Sequence, residues 1–413
     1  MNIWILQTGE PLHCDGLNAR PMRAMNLANK LIENGHNVIL WSSAFSHQSK
    51  SHRYKKFKKI KIANNLEIRL IPSPGYKKNI SFARFYDHYV LGRNLHKQLI
   101  EEKECPDVAF VGFPPIEIAY AMSLWLKKKN IPYLLDVKDK WPHIIVESFP
   151  FFLRPVVKIL LLPYFLISKK IMKNANGISA HVPGFIDWVL SFSKSEKSDN
   201  HKFFPLTVPN DHIDDDSLNI ATRWWKDQGV NKNDSFKLIF IGSFSRAFDF
   251  DKIFDASERL SNVEHEFIIC GNGDRDKELR SKAKNYKNIQ IIGWIDRPKI
   301  LALSKIADAA IAPYKSTEDF VVSIPNKIID SLMLGLPIFS SLEGEVASLI
   351  RDYEIGYFYE NDEQLSKHIE DYVKKDKNFY NQISKNAHNL YMSKFEFNKV
   401  YNELCEHLEK IMN

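Results

Sequence analysis

Short apolar runs recur along this chain, each followed by a longer segment with helical spacing, and the pattern is written out twice. In the first half the apolar runs are residues 3–7, 37–41, 66–72, 108–111, 133–137 and 178–181. An amphipathic stretch at 20–34, stopped by Gly35, separates the first two. In the second half the runs are 237–242, 266–270, 289–293, 309–312 and 337–340. Strands that alternate with helices predict parallel sheets covered on both faces, because each crossover must lay its helix back on the sheet. Between the halves, residues 191–235 are rich in Ser, Lys, Asp and Asn, with one apolar patch at 203–209. That stretch reads as a linker plus the opening of a second domain, with Asp214, Asp215 and Asp216 solvated in it. The tail 378–412 is helical, with Ile383, Leu390, Phe395, Val400, Leu404, Leu408 and Ile411 as its apolar positions.

With 413 residues, 44% of them hydrophobic and 26% charged, the chain has room for two ordinary folded domains. Cys14, Cys105, Cys270 and Cys405 are far apart, which points to a reducing compartment and away from a zinc or disulfide framework. The first residues read as a buried strand rather than a signal peptide, so a cytoplasmic location is expected. The net charge of +7 is unevenly spread. Lys50, His52, Arg53, Lys55, Lys56, Lys58, Lys59 and Lys61 form one run, interleaved with Tyr54 and Phe57 and followed by Tyr76, Lys77 and Lys78. A solvated loop and an anionic membrane surface both fit this run. Nucleic acid is not expected as a partner, because no helix-turn-helix, zinc or RNA-binding motif accompanies it. The most apolar stretch, 144–167, is broken by Glu147, Arg154 and Lys158 and by Pro150, Pro155 and Pro163, so it does not read as a membrane span. An interfacial segment and a helix buried against the sheet remain equally open there.

The chemistry-bearing residues cluster where strands are expected to end. Pro325, Asn326, Lys327 and Asp330 open a short helix that Gly335 stops before an apolar strand. A lysine in the first turn, at the positive end of that helix, suits a diphosphate, and a carboxylate one turn later suits a ribose diol. Gly271 and Gly273 permit a tight turn and close backbone approach after the 266–270 strand, with Trp294 and Ile295 about twenty residues further on. Gly242 and Ser243 begin the first strand-to-helix turn of the second half, and Arg246 is the nearest cation there. In the first half, Asp139 follows the 133–137 strand and suits sugar hydroxyls or proton transfer. Asn18, Arg20 and Arg23 sit in a polar loop entering the first helix, beside His13.

The Pro-Asn-Lys-x-x-Asp run with its Gly-x-Pro strand start resembles the donor-binding segment of retaining GT-B glycosyltransferases of glycosyltransferase family 4. The subgroup that makes bacterial surface polysaccharides is the nearest, and Asp136-Val137-Lys138-Asp139-Lys140-Trp141-Pro142 resembles its Asp-x-Arg-Asp-x-Trp-Pro run. The resemblance implies two Rossmann-like doubly wound α/β domains, 1–200 for the acceptor and 201–390 for the nucleotide-sugar, with a terminal helix 391–413 crossing back to the first. It implies Lys327, Arg246 and Asp139 as catalytic residues, and Gly242, Ser243, Gly271, Gly273, Trp294, Ile295, Pro325, Asn326 and Asp330 around the donor nucleotide. Asn18, Arg20 and Arg23 would face phosphate and acceptor. It further implies a nucleotide-diphospho-sugar donor, UDP- or GDP-linked, a lipid-linked saccharide acceptor of lipopolysaccharide or capsule, retention without metal or other cofactor, and a peripheral place at the inner face of the plasma membrane. The chain departs from the pattern in two ways. Ser243 stands where an Arg is common and Phe248 about where a Lys is common, leaving Arg246 and Lys252 as the nearby cations. The position expected for a first acidic residue holds Val322, with Glu318 and Asp319 just upstream. Those departures also fit a catalytically degenerate partner protein, and the fold alone also fits a nucleotide-sugar epimerase.

Overall fold

The computed structural model describes residues 1–16, 19, 21–79, 81–207, 209 and 213–412. The chain divides into two compact units, Met1–Val208 together with Asn398–Asn413, and Pro209–Phe397.

The first unit is built on an eight-stranded sheet. Its order is His201–Phe203, Gly177–Ala180, Tyr133–Val137, Val108–Phe113, Asn2–Leu6, Asn37–Ser43, Leu66–Ile71 and Lys58–Ala63. All neighbours run parallel except the last pair, where Lys58–Ala63 is antiparallel to Leu66–Ile71. Every residue of the central Val108–Phe113 strand is buried, as a sheet covered on both faces requires. From Asn398 onward the terminal helix Phe397–Met412 belongs to this unit. It buries Val400, Tyr401, Leu404, Leu408 and Ile411, and spacings of three and four put them on one stripe. Leu404 and Leu408 are fully covered, worth about 1.5–3 kcal/mol each as an upper figure. Polar contacts fix its register: His36 Nε2 lies 2.9 Å from Glu409, and Lys202 donates to Glu403 at 2.9 Å.

The second unit carries a six-stranded, all-parallel sheet in the order Ile289–Ile292, His265–Cys270, Phe236–Ile241, Ala309–Ala312, Ile338–Ser340 and Gly356–Phe358. Numbered along the chain this is 3-2-1-4-5-6, so connections reverse direction between Phe236–Ile241 and Ala309–Ala312. Ligands of open α/β sheets bind at such a reversal, beyond the carboxyl ends of the strands. Alternate residues feed two cores. Leu238, Phe240, Phe267 and Ile269 join one cluster, while Ile239, Ile268 and Cys270 join the other with Trp225 and Leu303.

Three segments depart from the sequence reading. The 191–235 stretch is not simply a linker: it contains His201–Phe203, which extends the first sheet past residue 200, and the helix Asp215–Asp227. Asp214 caps that helix by accepting from Ser217 N at 2.8 Å, so the Asp triplet is a helix start. The basic run is not a loop throughout either, because Ser51–His52 pairs with Phe45–Ser46 and Lys58–Ala63 is the sheet's edge strand. Charged side chains on an edge strand discourage pairing with other chains. Finally, the apolar stretch around 144–167 is largely uncovered. Phe151, Phe152, Ile159 and Leu160 are 83%, 75%, 72% and 73% exposed. They ride on the turn Phe151–Leu153 and the helix Arg154–Leu160, which breaks at 66° from Leu162–Asn174. No single helix among the described residues is long and apolar enough to cross a membrane.

Candidate donor site

The carboxyl edge of the second sheet is bound together through its turns. Gly242 N donates to Cys270 O at 2.9 Å, Gly271 N to Gly293 O at 3.1 Å, and Phe244 N to Asn272 O at 2.7 Å. Glycine is required where these turns touch. A Cβ on Gly271 would lie 1.8 Å from Gly242 O, and one on Gly273 would lie 2.6 Å from Phe244 O. Arg275 locks the assembly. Its N–H donates to Phe244 O at 3.1 Å and its Nη1 to Phe248 O at 3.2 Å, while Nη2 pairs with Glu278 at 2.5 Å. Sequence reasoning passed over Arg275; its one signal was its place directly after Gly-Asn-Gly-Asp.

Lys327 comes to this edge from a distant part of the chain. It lies in the first turn of helix Asn326–Met333, whose N-terminus no side chain caps. Its Nζ donates to Ile241 O at 2.8 Å, and a Cβ on Gly242 would sit 1.5 Å from that nitrogen. The ammonium also stands 5.1 Å from the Phe240 ring and 5.4 Å from the Phe248 ring. Phe248 is 3% exposed and packs on Phe240, Phe250 and Tyr314. The aromatic residue in place of a second lysine thus gives Lys327 a π-face where another cation would repel it. Lys252 does not help, since its Nζ donates to Glu360 O at 2.7 Å.

Around this centre the expected residues fall unevenly. Ser243 and Arg246 are exposed on the turn after Gly242, and Arg246 has no ion pair among the described residues. Pro325 is half-buried, Asn326 is exposed, and Asp330 lies half-buried one turn on from Lys327. Burial pushes the Tyr314 phenol up, and the negative charge of Asp330 pushes the same way. Trp294 is 73% exposed and offers its ring face, whereas Ile295 is 4% exposed and serves the core. Glu318 and Asp319 begin the short helix Glu318–Val321; their side chains fall outside the described residues.

In the first unit the expected loop is only partly described: Asn18 and Arg20 lie outside the described residues. Arg23 is a correction. It is 2% exposed, its Nε lies 3.0 Å from each Asp136 oxygen, its Nη2 donates to Asp136 at 2.8 Å and its Nη1 to Phe204 O at 3.0 Å. All of its donors point inward, so it holds two strands together and is not placed to take a ligand. Asp136 also accepts from Ser179 Oγ at 2.8 Å. Burial works to raise the Asp136 carboxyl, but Arg23 and Lys138 outweigh it and hold the group below its ordinary value. Lys138 pairs with Glu10, which also accepts from Ala24 N at 2.9 Å. Asp139 is half-buried at the strand end and accepts from Lys140 N at 2.9 Å. Trp141 behind it is buried, and His13 Nε2 lies 2.7 Å from Asn29 Oδ1. Among the described residues no three carboxylate, imidazole or thiol groups converge as a metal site would require.

Residues 222–390 match the family model of glycosyl transferases group 1. No curated protein sequence matches the chain. Among solved structures, a glycosyltransferase from Rickettsia africae ESF-5 is similar at TM-score 0.66 and 13% identity, over 100% of this chain and 98% of that one. WaaG, a glycosyltransferase involved in lipopolysaccharide biosynthesis, is similar at TM-score 0.63 and 13% identity, over 99% of both chains. The Anabaena protein Alr3699/HepE, in complex with UDP and glucose, gives TM-score 0.62 and 13% identity over 99% of this chain and 100% of that one. Two parallel-sheet α/β units of this order are the GT-B fold of those glycosyltransferases, and at such identity the likeness speaks to fold.

Proposed function

We propose that the protein is a retaining glycosyltransferase of family 4 type, working in bacterial surface polysaccharide synthesis, lipopolysaccharide or capsule. The observation that carries this reading is Lys327 at Gly242: a cation in the first turn of a helix, at the carboxyl edge and switch point of a doubly wound sheet. A diphosphate placed there meets an ammonium, a helix N-terminus and the exposed Arg246, which together stabilise the charge that develops as the sugar leaves. These fixed positive groups support departure without a metal ion. Asp330 takes the ribose diol, and Trp294 with the Gly293 backbone takes the base. The leaving phosphate receives the acceptor's proton on the face it departs from, so no dedicated protein base is assigned. Uridine is the preferred base, since the Anabaena protein of the same fold is in complex with UDP-glucose.

The acceptor belongs to the first unit and is a lipid-linked saccharide presented at the inner face of the plasma membrane, with Asp139 on its hydroxyls. Residues 149–173 support this. They expose Phe151, Phe152, Val156, Ile159, Leu160 and Leu166, and contain five cations and no acidic residue. Phe151 and Phe152 alone offer on the order of 300 Å² of apolar surface. Soluble monomers rarely leave such a patch bare, and cations around it suit an anionic leaflet. A degenerate partner protein is the second reading, favoured by Val322 at the expected acidic position. Calorimetry with UDP and GDP, followed by release of sugar from the matching donors, separates the two. Binding and turnover are expected; a chain that binds neither nucleotide is not a glycosyltransferase of this kind.

A further inference from the structure

At the carboxyl edge of the first sheet, three loops and the start of a helix bring together two cations, neither of which forms an ion pair among the described residues. Lys50 follows the Phe45–Ser46 strand, Tyr76 follows Leu66–Ile71, Trp141 follows Tyr133–Val137, and Arg84 lies in the first turn of helix Phe82–Glu101. Lys50 Nζ stands 4.6 Å from the Tyr76 ring centre and the Arg84 guanidinium 5.6 Å from it, so two cations address one ring. The Arg84 guanidinium is also 5.3 Å from the Trp141 ring. The acceptors the pair does have are neutral: Lys50 donates to Asn79 Oδ1 at 2.6 Å and Arg84 Nη1 to Asn79 O at 2.9 Å. Among the described residues neither cation has an ion pair, and the buried Arg84 Nε has no hydrogen-bond partner.

The backbone adds charge of the same sign. Phe82–Glu101 is a long helix with no acidic residue in its first turn; Ser81 caps one N–H, accepting from Arg84 N at 3.3 Å, and the positive end of the helix lies beside these side chains. Lys77 and Lys78 are exposed on the adjoining loop. Two carboxyls lie deeper: Asp87 accepts from Gly75 N at 2.6 Å, and Glu117 accepts from Tyr164 OH at 2.7 Å, its carboxyl pushed up by burial although the charge of Arg84 works the other way. His47, whose Nδ1 lies 2.5 Å from Tyr76 OH and 3.2 Å from Lys50 Nζ, is pushed below its ordinary value by burial first and then by Lys50 and Arg84. Such a concentration of like charge at a helix N-terminus is unfavourable unless an anion joins it.

The same helix says what carries the anion. Phe82, Tyr86 and Tyr89 fall on one face and are 94%, 61% and 57% exposed. Behind them Phe85 meets the Trp141 and Tyr164 rings at 6.3 and 6.2 Å. A free phosphate has no use for that apolar face, whereas a lipid phosphate has a tail to lay on it. The geometry points to a site here for the phosphate or diphosphate of an amphiphile, gripped by Lys50 and Arg84 at the helix N-terminus, with its chain against Phe82 and Tyr86. This rests on the reading of the first unit as the acceptor-binding half, and it makes a lipid phosphate the group by which the acceptor is held.

The test is calorimetry on the full chain saturated with UDP, which removes the donor site from competition. Farnesyl diphosphate, inorganic pyrophosphate and farnesol are the probes. Farnesyl diphosphate is expected to bind at least tenfold more tightly than either of the others. Arg84→Gln and Lys50→Gln are each expected to weaken it at least tenfold, with UDP affinity and melting temperature unchanged. Lys50 sits on a surface loop, so its variant serves if Arg84→Gln fails to fold. Equal binding of pyrophosphate and farnesyl diphosphate would overturn the amphiphile assignment. Binding that ignores both substitutions, or no binding at all, would overturn the site. Intact UDP binding beside a silent farnesyl diphosphate titration would sink this inference alone, while a chain blind to UDP would sink the glycosyltransferase reading.

Discussion

The two sheets end in very different ways at the same topological edge. In the second unit Gly242, Gly271 and Gly273 remove side chains, the turns bond to one another, and Lys327, which approaches them, is tied to a backbone carbonyl. In the first unit the same edge is closed by ion pairs, Arg23 with Asp136 and Lys138 with Glu10. Glycine opens an edge to a ligand's phosphates, whereas a buried guanidinium–carboxylate pair spends both charges on holding strands together. A cation near a strand end is therefore placed to meet a ligand when its neighbours are glycines and neutral acceptors. Beside a buried carboxylate it signals structure.

The largest effect expected from this contrast is on stability. Arg23→Met leaves Asp136 buried without its partner, which costs about 3–5 kcal/mol. The double change Arg23→Met with Asp136→Leu should recover most of that loss. Urea unfolding measures both, and a single variant within about 1 kcal/mol of wild type would mean the pair is not what seals the edge. The pH dependence has a definite sign. Because the folded Asp136 carboxyl is held below its ordinary value, its stabilisation is full above about pH 4, the ordinary carboxylate range, and is lost as pH falls through the lower folded value.

Lys327→Ala should do the reverse, leaving stability nearly intact and lowering turnover about a hundredfold or more, by removing a charge that stabilises the departing diphosphate. Turnover within about twofold of wild type would remove Lys327 from the chemistry. Asp330→Asn is expected to act on affinity: the nucleotide should bind about 1–3 kcal/mol more weakly, the range for a hydrogen bond to a charged group. Unchanged calorimetric affinity would free Asp330 from the ribose.

Much of the fold was legible because buried parallel strands are continuous apolar runs: 133–137 and 309–312 appear in the structure as Tyr133–Val137 and Ala309–Ala312, and the others shift by a residue or two. The strands that escaped notice are Lys58–Ala63, His201–Phe203 and Gly356–Phe358, at the edges of the two large sheets, and the small pair Phe45–Ser46 and Ser51–His52. An edge strand is half wet, and Lys58–Ala63 keeps its lysines exposed, so it reads as a charge run. The candidate site was legible as segments and not as contacts. Lys327 and Ile241 are separated by 86 residues, and nothing local says that one carbonyl receives that ammonium. Arg23 misled for the same reason. Its partner Asp136 lies 113 residues away, and a loop arginine with an unseen buried carboxylate looks like a ligand.

The smallest expected effect concerns two basic regions of the first unit. Sequence alone made the run from Lys50 to Lys61 a candidate for an anionic membrane. The structure puts Lys58–Ala63 at one edge of the sheet, five strand positions from Tyr133–Val137, or about 24 Å at the usual spacing. The exposed apolar segment 149–173 issues from the far side of Tyr133–Val137 and brings cations of its own. Lysines a Debye length or more away add little at physiological salt. Lys58→Glu with Lys59→Glu should therefore change binding to anionic vesicles by no more than about twofold. Phe151→Ser with Phe152→Ser should weaken it far more, since apolar insertion is then lost. Sedimentation with anionic and with zwitterionic vesicles at two salt concentrations reads all of this. If the lysine pair proves to matter and the phenylalanine pair does not, the edge strand is the membrane face and the apolar turn serves something else.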